Sequence, residues 1–475
     1  MIRFSVLARP GVTHRRGVYL RRWGVAGGMA ACAAAAIGMA GGGVAGSSHH
    51  NGGASAAARL GDSSTPVIRS GVGSASAMSL FGGPAVGQSC FEYPASCYAP
   101  RPLLTGYGIQ ALLDRGIDGR GQTVVVPEVA NQPPASPPDV SNIRLDLARF
   151  DALNHIPAAR LRVVTSLAGK TAPYLAGFEE VEDVEIVHAV APEATIVVVL
   201  VPPSAGNSVA DFVQALTGFL RLAVPRGDVI SISASIGEHF LTPTQVAQVS
   251  AALQTARDHH VTVVSSSGDT GAASDPALGA APVKEVSLPA SDPLVLAAGG
   301  TSLALNPSTG AYSGELAWNT SAGGFSHLFS RPSYQDGVPG IGATRGVPDV
   351  AADADPDTGM ALAIADGTKS YDLFAAGGTS AATPLWAGVI ALADQYAGRP
   401  LGFVNPAIYR IGNSPMGRQA FHDVTTGDNS VVVVPRLITG YQASPGWDPI
   451  TGWGSPNARV LVPLLAQSAH PGDGG

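Results

Sequence analysis

The chain of 475 residues has little charge: only 13 % of its residues are Asp, Glu, Lys or Arg, and the net charge is -7. Nucleic-acid binders present a basic face, so this balance excludes them. Lysine is nearly missing, with Lys170, Lys284 and Lys369 its only instances, and arginine supplies the remaining positive charge. No basic run suggests a membrane-surface patch. Cysteine is scarce as well: Cys32, Cys90 and Cys97 are the whole set, and no cysteine/histidine cluster offers a zinc site.

What is abundant is glycine and proline, and 18 of the 59 glycines lie in the first hundred residues. Arg15, Arg16, Arg21 and Arg22 precede an Ala/Gly-rich apolar stretch from Trp23 to Ala45. A basic segment, an apolar run and small residues form an export-signal pattern, with "GVA" (Gly43–Ala45) as the cleavage site and "HRRGVYL" as a twin-arginine hint. A transmembrane anchor is the other reading, disfavoured because Ala and Gly span a bilayer poorly. Residues 46–89 read as a disordered Gly/Ser/Ala linker. The globular domain is expected over 90–467, and 468–475 reads as a frayed tail. In an exported chain, Cys90 and Cys97 are expected to form a disulfide at the domain's entrance.

Within the domain, β-branched runs alternate with helical patterns. Strands are predicted over 122–129, 194–201, 228–235, 261–269 and 294–300, and helices over 139–153, 208–224 and 244–260. Continuous apolar strands with helical crossovers predict an α/β fold, a mostly parallel sheet with helices on both faces. Ligands in such sheets bind at the carboxyl ends of strands. "SASIG" (Ser233–Gly237) and "SSSGDTG" (Ser265–Gly271) lie at such ends.

"GFEEVEDVEIVHAVAPEATI" (Gly177–Ile196) reads as a helix closed by Pro192. At 100° per residue, Glu179, Asp183, Ile186 and Val190 share a narrow face. Two acids on a largely apolar face need a reason, because burying unpaired carboxylates costs several kcal/mol, order of magnitude. The plain alternative is a solvated acidic helix start. Glu182 and Glu185 lie off that narrow face, toward the other side, and are expected in solvent. His188 lies off the Glu179/Asp183 face and reads as a packing residue. "AAGGTSAATPLWAGVIAL" (Ala375–Leu392) places Ser380 before a long apolar helix. Ser380 reads either as a helix cap or as a nucleophile beside the free N–H groups of the helix start.

These pieces together resemble the sedolisin family of serine-carboxyl peptidases, which share the subtilisin-like fold. "GGTSAATP" is similar to the nucleophile motif of the subtilisin clan, yet the "HG-T-H" motif that supplies a histidine base is lacking. Glu179 and Asp183 match the sedolisin acids, and "SSSGDTG" matches the segment carrying that family's oxyanion aspartate. "SISASIGE", "AAGGTSL", "ELAWN", "GGFSHLFSRPSYQ" and "RGVPDVAADADP" extend the resemblance from about Cys97 to Leu465.

The resemblance implies that Ser380 attacks a peptide carbonyl, Glu179 takes and returns its proton, Asp183 orients Glu179, and a protonated Asp269 donates to the oxyanion with the Ser380 amide. Ordinary carboxyl pKa values then place hydrolysis at roughly pH 3–5. Ser235, Ile236 and Gly237 resemble the edge that pairs with an extended polypeptide substrate. Ile236 stands where many sedolisins have Trp, so Glu128, at the end of the first strand, ranks as secondary. "FHDVTTGD" and "ASPGWDPITGWGSPN" resemble the family's calcium site. They imply Ca2+ held by the side chains of Asp423 and Asp448 and the carbonyls of Val424, Ser444 and Gly446. Many family members carry a large folded propeptide, which residues 46–89 do not resemble. A secreted monomer without nucleic-acid or stable membrane partners is expected, cutting internally or trimming tripeptides. Rival readings are a histidine-based subtilisin and an exported binding module that lost turnover. A lipase-type enzyme is disfavoured because Ser380 lacks the "G-x-S-x-G" elbow.

Overall fold

A computed structural model describes residues 97–129, 143–165, 178–201, 208–273, 282–365, 371–433 and 436–468. The expected export signal, the linker, Cys90 and residues 469–475 of the tail lie outside the described residues. Ser468, expected in the frayed tail, instead ends the last helix, Ala458–Ser468. Cys97 is disulfide-bonded.

Seven parallel strands run through the centre. They are β1 (Thr123–Val129), β2 (Arg160–Thr165), β3 (Thr195–Val201), β4 (Val229–Ile232), β5 (Thr262–Ser266), β6 (Leu296–Leu305) and β8 (Val350–Asp353). Their order across the sheet is β8-β6-β5-β4-β1-β3-β2, and β7 (Tyr312–Ala317) joins β6 antiparallel. The predicted α/β architecture is therefore present. Side chains alternate along each strand between two cores. Val124, Val126, Ile196 and Val198 enter one apolar cluster, while Val125, Val197 and Val199 enter the other. Both faces are covered, which is why these strands read as unbroken apolar runs instead of alternating ones.

The helices divide between those faces. Four matter for the site: α1 (Phe178–Val190), α2 (Val209–Ala223), α3 (Pro243–Asp258) and α4 (Gly378–Ala397). Helices α2 and α3 pack over the second core. Each starts on a capping box: Ser208 with Asp211, and Thr242 with Gln245. Helices α1 and α4 pack against each other over the first core. They meet closely at Gly388, where an added Cβ would lie 2.5 Å from Val190 Cγ1. Among the described residues, no helix is long and apolar enough to cross a membrane.

Candidate active site

Helix α4 is buried from Gly378 to Asp394, and Ser380 sits in its first turn with 7 % of its surface exposed. Its N-cap is Gly377, and no side chain caps it. The capping role considered for Ser380 is thus overturned: the serine lies inside the helix, three residues past the cap. Pro384 then has a local consequence. In a regular helix the N–H of residue 384 would bond the Ser380 carbonyl, and proline has none. Ser233 Oγ lies 3.4 Å from that carbonyl and donates to Asp183 Oδ1 at 2.8 Å. Ser233, at the carboxyl end of β4, therefore links the acid helix to the serine turn.

Helix α1 has no solvent face over Glu180–Val190. Its acids reach different parts of the surrounding structure. Glu179 lies beside the Ser380 side chain, close enough for the hydroxyl to favour its charged form. Asp183, fully buried, accepts from Ser233. Glu182 Oε1 accepts the Gly377 N–H at 2.6 Å, and Glu185 Oε2 accepts the Ala363 N–H at 2.9 Å. The expectation of solvated Glu182 and Glu185 is wrong. Both are at most 1 % exposed, because α4, the helix at Ile143–Asn154 and the strand at Ala361–Ala365 all pack around α1. Helical periodicity separates a wet side from a dry one only when one side faces water. His188 is buried as expected of a packing residue. Its Nε2 lies 2.9 Å from Asp151 Oδ1 and 3.0 Å from the Pro157 carbonyl.

Asp269 follows the end of β5. Its Oδ1 accepts both the amide and the hydroxyl of Thr379, at 2.7 and 2.8 Å. Gly378 has φ +78°, and a Cβ there would lie 2.7 Å from Asp269 Oδ2. Glycine is thus needed twice over: for the left-handed backbone and for the space beside the free carboxyl oxygen. Burial pushes Asp269 up to about 6, against the two Thr379 bonds that favour its charged form. Burial also pushes Glu179 up to about 7. The Ser380 hydroxyl opposes this shift and the nearby Asp269 charge adds to it.

Thus Ser380, Glu179, Asp183 and Asp269, separated by up to about two hundred positions in sequence, meet around one helix turn. Ile236 and Gly237 are buried and pair antiparallel with Leu288 and Ser287, so one edge of this short strand is already occupied. Ser235 lies near the Asp269 loop: a Cβ at Gly268 would be 3.4 Å from Ser235 Oγ. Glu128 is in register with Leu200, and its side chain lies outside the described residues. Sequence reasoning missed Ser233, Thr379 and Glu182 as individuals. Pro384 was the available signal for Ser233, because it leaves the Ser380 carbonyl in want of a donor.

The five residues assigned to calcium lie around one loop. Asp423 accepts the Gly446 N–H at 3.1 and 3.0 Å through its two oxygens. Asp448, 1 % exposed, accepts from the Ile450 and Thr451 amides, the Thr451 hydroxyl and, at 3.4 Å, the Ser444 amide. Two carboxylates that both bond the same loop, with backbone carbonyls as further oxygen donors, suit a hard cation in donor chemistry. No cluster of three His, Cys, Asp or Glu side chains is found among the described residues, so backbone oxygen would have to complete the set.

Fold and site together define a subtilisin-like α/β protein in which carboxyl groups gather around a serine at the start of a buried helix. Residues 165–405 match the model of the subtilase family. The chain is 34 % identical over 397 residues to kumamolisin of Bacillus sp. (strain MN-32), covering 79 % of this chain and 65 % of that protein. It is 30 % identical over 345 residues to tripeptidyl-peptidase 1 of Bos taurus, covering 67 % of this chain and 57 % of that one. Pseudomonas sedolisin is a serine-carboxyl proteinase solved with two molecules of pseudo-iodotyrostatin. It superposes with a TM-score of 0.66 at 26 % identity, over 80 % of this chain and 100 % of its own. The chain belongs to the subtilase family of serine-type peptidases, in its sedolisin branch. It spans less than two thirds of the length of these curated relatives.

Proposed function

We propose that this chain is a secreted, calcium-stabilised serine-carboxyl peptidase that hydrolyses extended polypeptides on the acid side of neutrality. The observation that carries the reading is the juxtaposition of the Glu179 carboxyl and the Ser380 side chain. Ser380 Oγ attacks the scissile carbonyl as its proton passes to Glu179. The C–N bond then breaks as Glu179 returns that proton to the leaving amine, and water repeats the sequence to release the acyl group. Asp183, held by Ser233, orients Glu179.

Asp269 Oδ1 is committed as an acceptor to Thr379, so the proton of the neutral acid sits on Oδ2, beside Gly378. That O–H and the Ser380 amide stabilise the oxyanion; one such donor is worth roughly 3–4 kcal/mol. The engagement of His188 with Asp151 and Pro157 favours the carboxyl base over a histidine base. Bound Ca2+ would hold the loop at Asp423, Val424, Ser444, Gly446 and Asp448 and take no part in the chemistry.

The test is cleavage of a denatured protein between pH 4 and pH 8 by wild type, Ser380→Ala and Glu179→Ala. Both variants should lose at least about 10³-fold in rate. Cleavage that survives Glu179→Ala removes the carboxyl base from the mechanism.

A further inference from the structure

The turn that carries Ser380 is met by three different carboxyl groups. Glu179 lies beside the Ser380 side chain, and Asp269 accepts the Thr379 amide. Both have a part in the proposed reaction. The third, Glu182, accepts the Gly377 N–H at 2.6 Å and has none.

Gly377 is the N-cap of α4, and with no side chain of its own it cannot steady that end. The amides around a helix start lack intrahelical acceptors, so an outside group must meet them. Here that group comes from the helix that also carries the base. Glu179 and Glu182 are three residues apart on α1, rigidly spaced and adjacent on its surface. One bond therefore fixes the Ser380 turn relative to Glu179. An apolar residue would be the cheaper choice at this buried position. Glu182 is instead a carboxyl among Glu179, Asp183 and Asp269, with burial and those like charges keeping it well above the ordinary carboxylate range. As a neutral acid it accepts the Gly377 N–H without adding a negative charge beside Glu179.

We propose that Glu182 is a positioning residue for peptide hydrolysis, setting the Ser380 turn against Glu179 through the Gly377 amide. The proposal rests on the assignment of Ser380 and Glu179 as nucleophile and base. Glu185 provides the contrast: it is a buried acid on the same helix, but its amide partner, Ala363, belongs to a different strand.

The experiment compares the wild-type full chain with Glu182→Gln, Glu182→Leu, Glu185→Leu and Ser380→Ala. It reads kcat and KM on a peptide substrate, the melting temperature, and amide hydrogen exchange over residues 375–380. Glu182→Leu should lower kcat about 10- to 100-fold, the scale of an ångström of misplacement, with KM within about twofold. Exchange at Gly377 should quicken at least about tenfold, as expected when an amide loses its acceptor. Glu182→Gln keeps a carbonyl acceptor for the same N–H and should restore both. Glu185→Leu should lower the melting temperature while leaving exchange over 375–380 unchanged. Wild-type kcat and exchange in Glu182→Leu overturn the proposal, as does an equal response in Glu185→Leu. Full activity in Ser380→Ala would sink the nucleophile assignment instead, and the exchange arm would then decide the Gly377 anchor alone.

Discussion

Asp269 holds Thr379 by both its amide and its hydroxyl, so the residue next to Ser380 is tied to the carboxyl group assigned to the oxyanion. The pH dependence of the rate follows. In the proposed reaction the active form has Glu179 ionised and Asp269 protonated. Burial raises Glu179 to about 7 and Asp269 to about 6, so the base has the higher value and the acid the lower. The rate should rise with pH as Glu179 ionises and fall as Asp269 loses its proton, with the maximum between those two values. This sits above the window of roughly pH 3–5 that ordinary carboxyl values give. Asp269→Asn keeps an acceptor for Thr379 and a neutral donor at every pH, so its falling limb should move up. Asp269→Ala should lose about 10²–10³-fold in kcat. Profiles of kcat/KM from pH 3 to about 9 read all three; an Asp269→Asn profile identical to wild type would remove Asp269 from the oxyanion.

Stability should fall on balance as pH rises, because the buried carboxyl groups outnumber His422, which burial lowers to about 4 and which acts in the opposite sense. Glu182, Glu185, Asp353 and Asp394 are all raised well above their ordinary values, first by burial. A carboxyl group raised in the folded state contributes fully below its unfolded value of about 4, and that contribution is lost as pH rises through the folded value. The melting temperature should therefore fall from pH 4 toward pH 8. Glu185→Gln should flatten the slope, because it removes one such group while retaining an acceptor for Ala363. A melting temperature that rises over the same range contradicts this account.

Much of this architecture was legible in the residues. Doubly buried strands announced themselves as β-branched runs, and the spacing of Glu179 and Asp183 placed both acids on one helix face. The surroundings of α1 were not legible. Periodicity assigns faces but cannot say that every face meets protein, so Glu182 and Glu185 were sent to solvent. The role of Ser380 stayed open because the cap lies at Gly377, whose backbone alone distinguishes it from its glycine neighbour. Ser233 and Thr379 act through hydrogen bonds made across 50 and 110 positions, and no local pattern encodes those.

Gly388 is a point of close approach between α1 and α4, and alanine there tests whether that spacing matters. Inside a helix, Gly→Ala ordinarily stabilises by roughly 0.5–1 kcal/mol. Here the new Cβ would meet Val190 Cγ1 at 2.5 Å and Val190 Cβ at 2.7 Å. Overpacking of that kind costs about 1–3 kcal/mol and should dominate. Gly388→Ala is expected to lower the melting temperature and, by spreading the helices that carry Glu179 and Ser380, to lower kcat more than KM rises. Val190→Ala in the same chain should recover part of both, since it clears the nearer of the two contacts. A melting temperature above wild type in Gly388→Ala would show that α1 yields without strain.

Calcium should act on the fold through the loop between Asp423 and Asp448. Asp423 reaches that loop only through the Gly446 amide, whereas Asp448 is also fastened by Ile450 and Thr451. Asp423→Asn is therefore the cleaner probe, because it halves the carboxylate charge and leaves the Asp448 turn intact. Calcium at about a hundred times its dissociation constant stabilises by about 2.7 kcal/mol. The melting temperature of the wild type should rise by several degrees in millimolar calcium and fall in a chelator, while Asp423→Asn should respond to neither. Magnesium should not substitute, since it prefers a tight octahedral shell that keeps its waters. Equal melting temperatures for wild type with calcium and with chelator would leave these aspartates as turn residues alone.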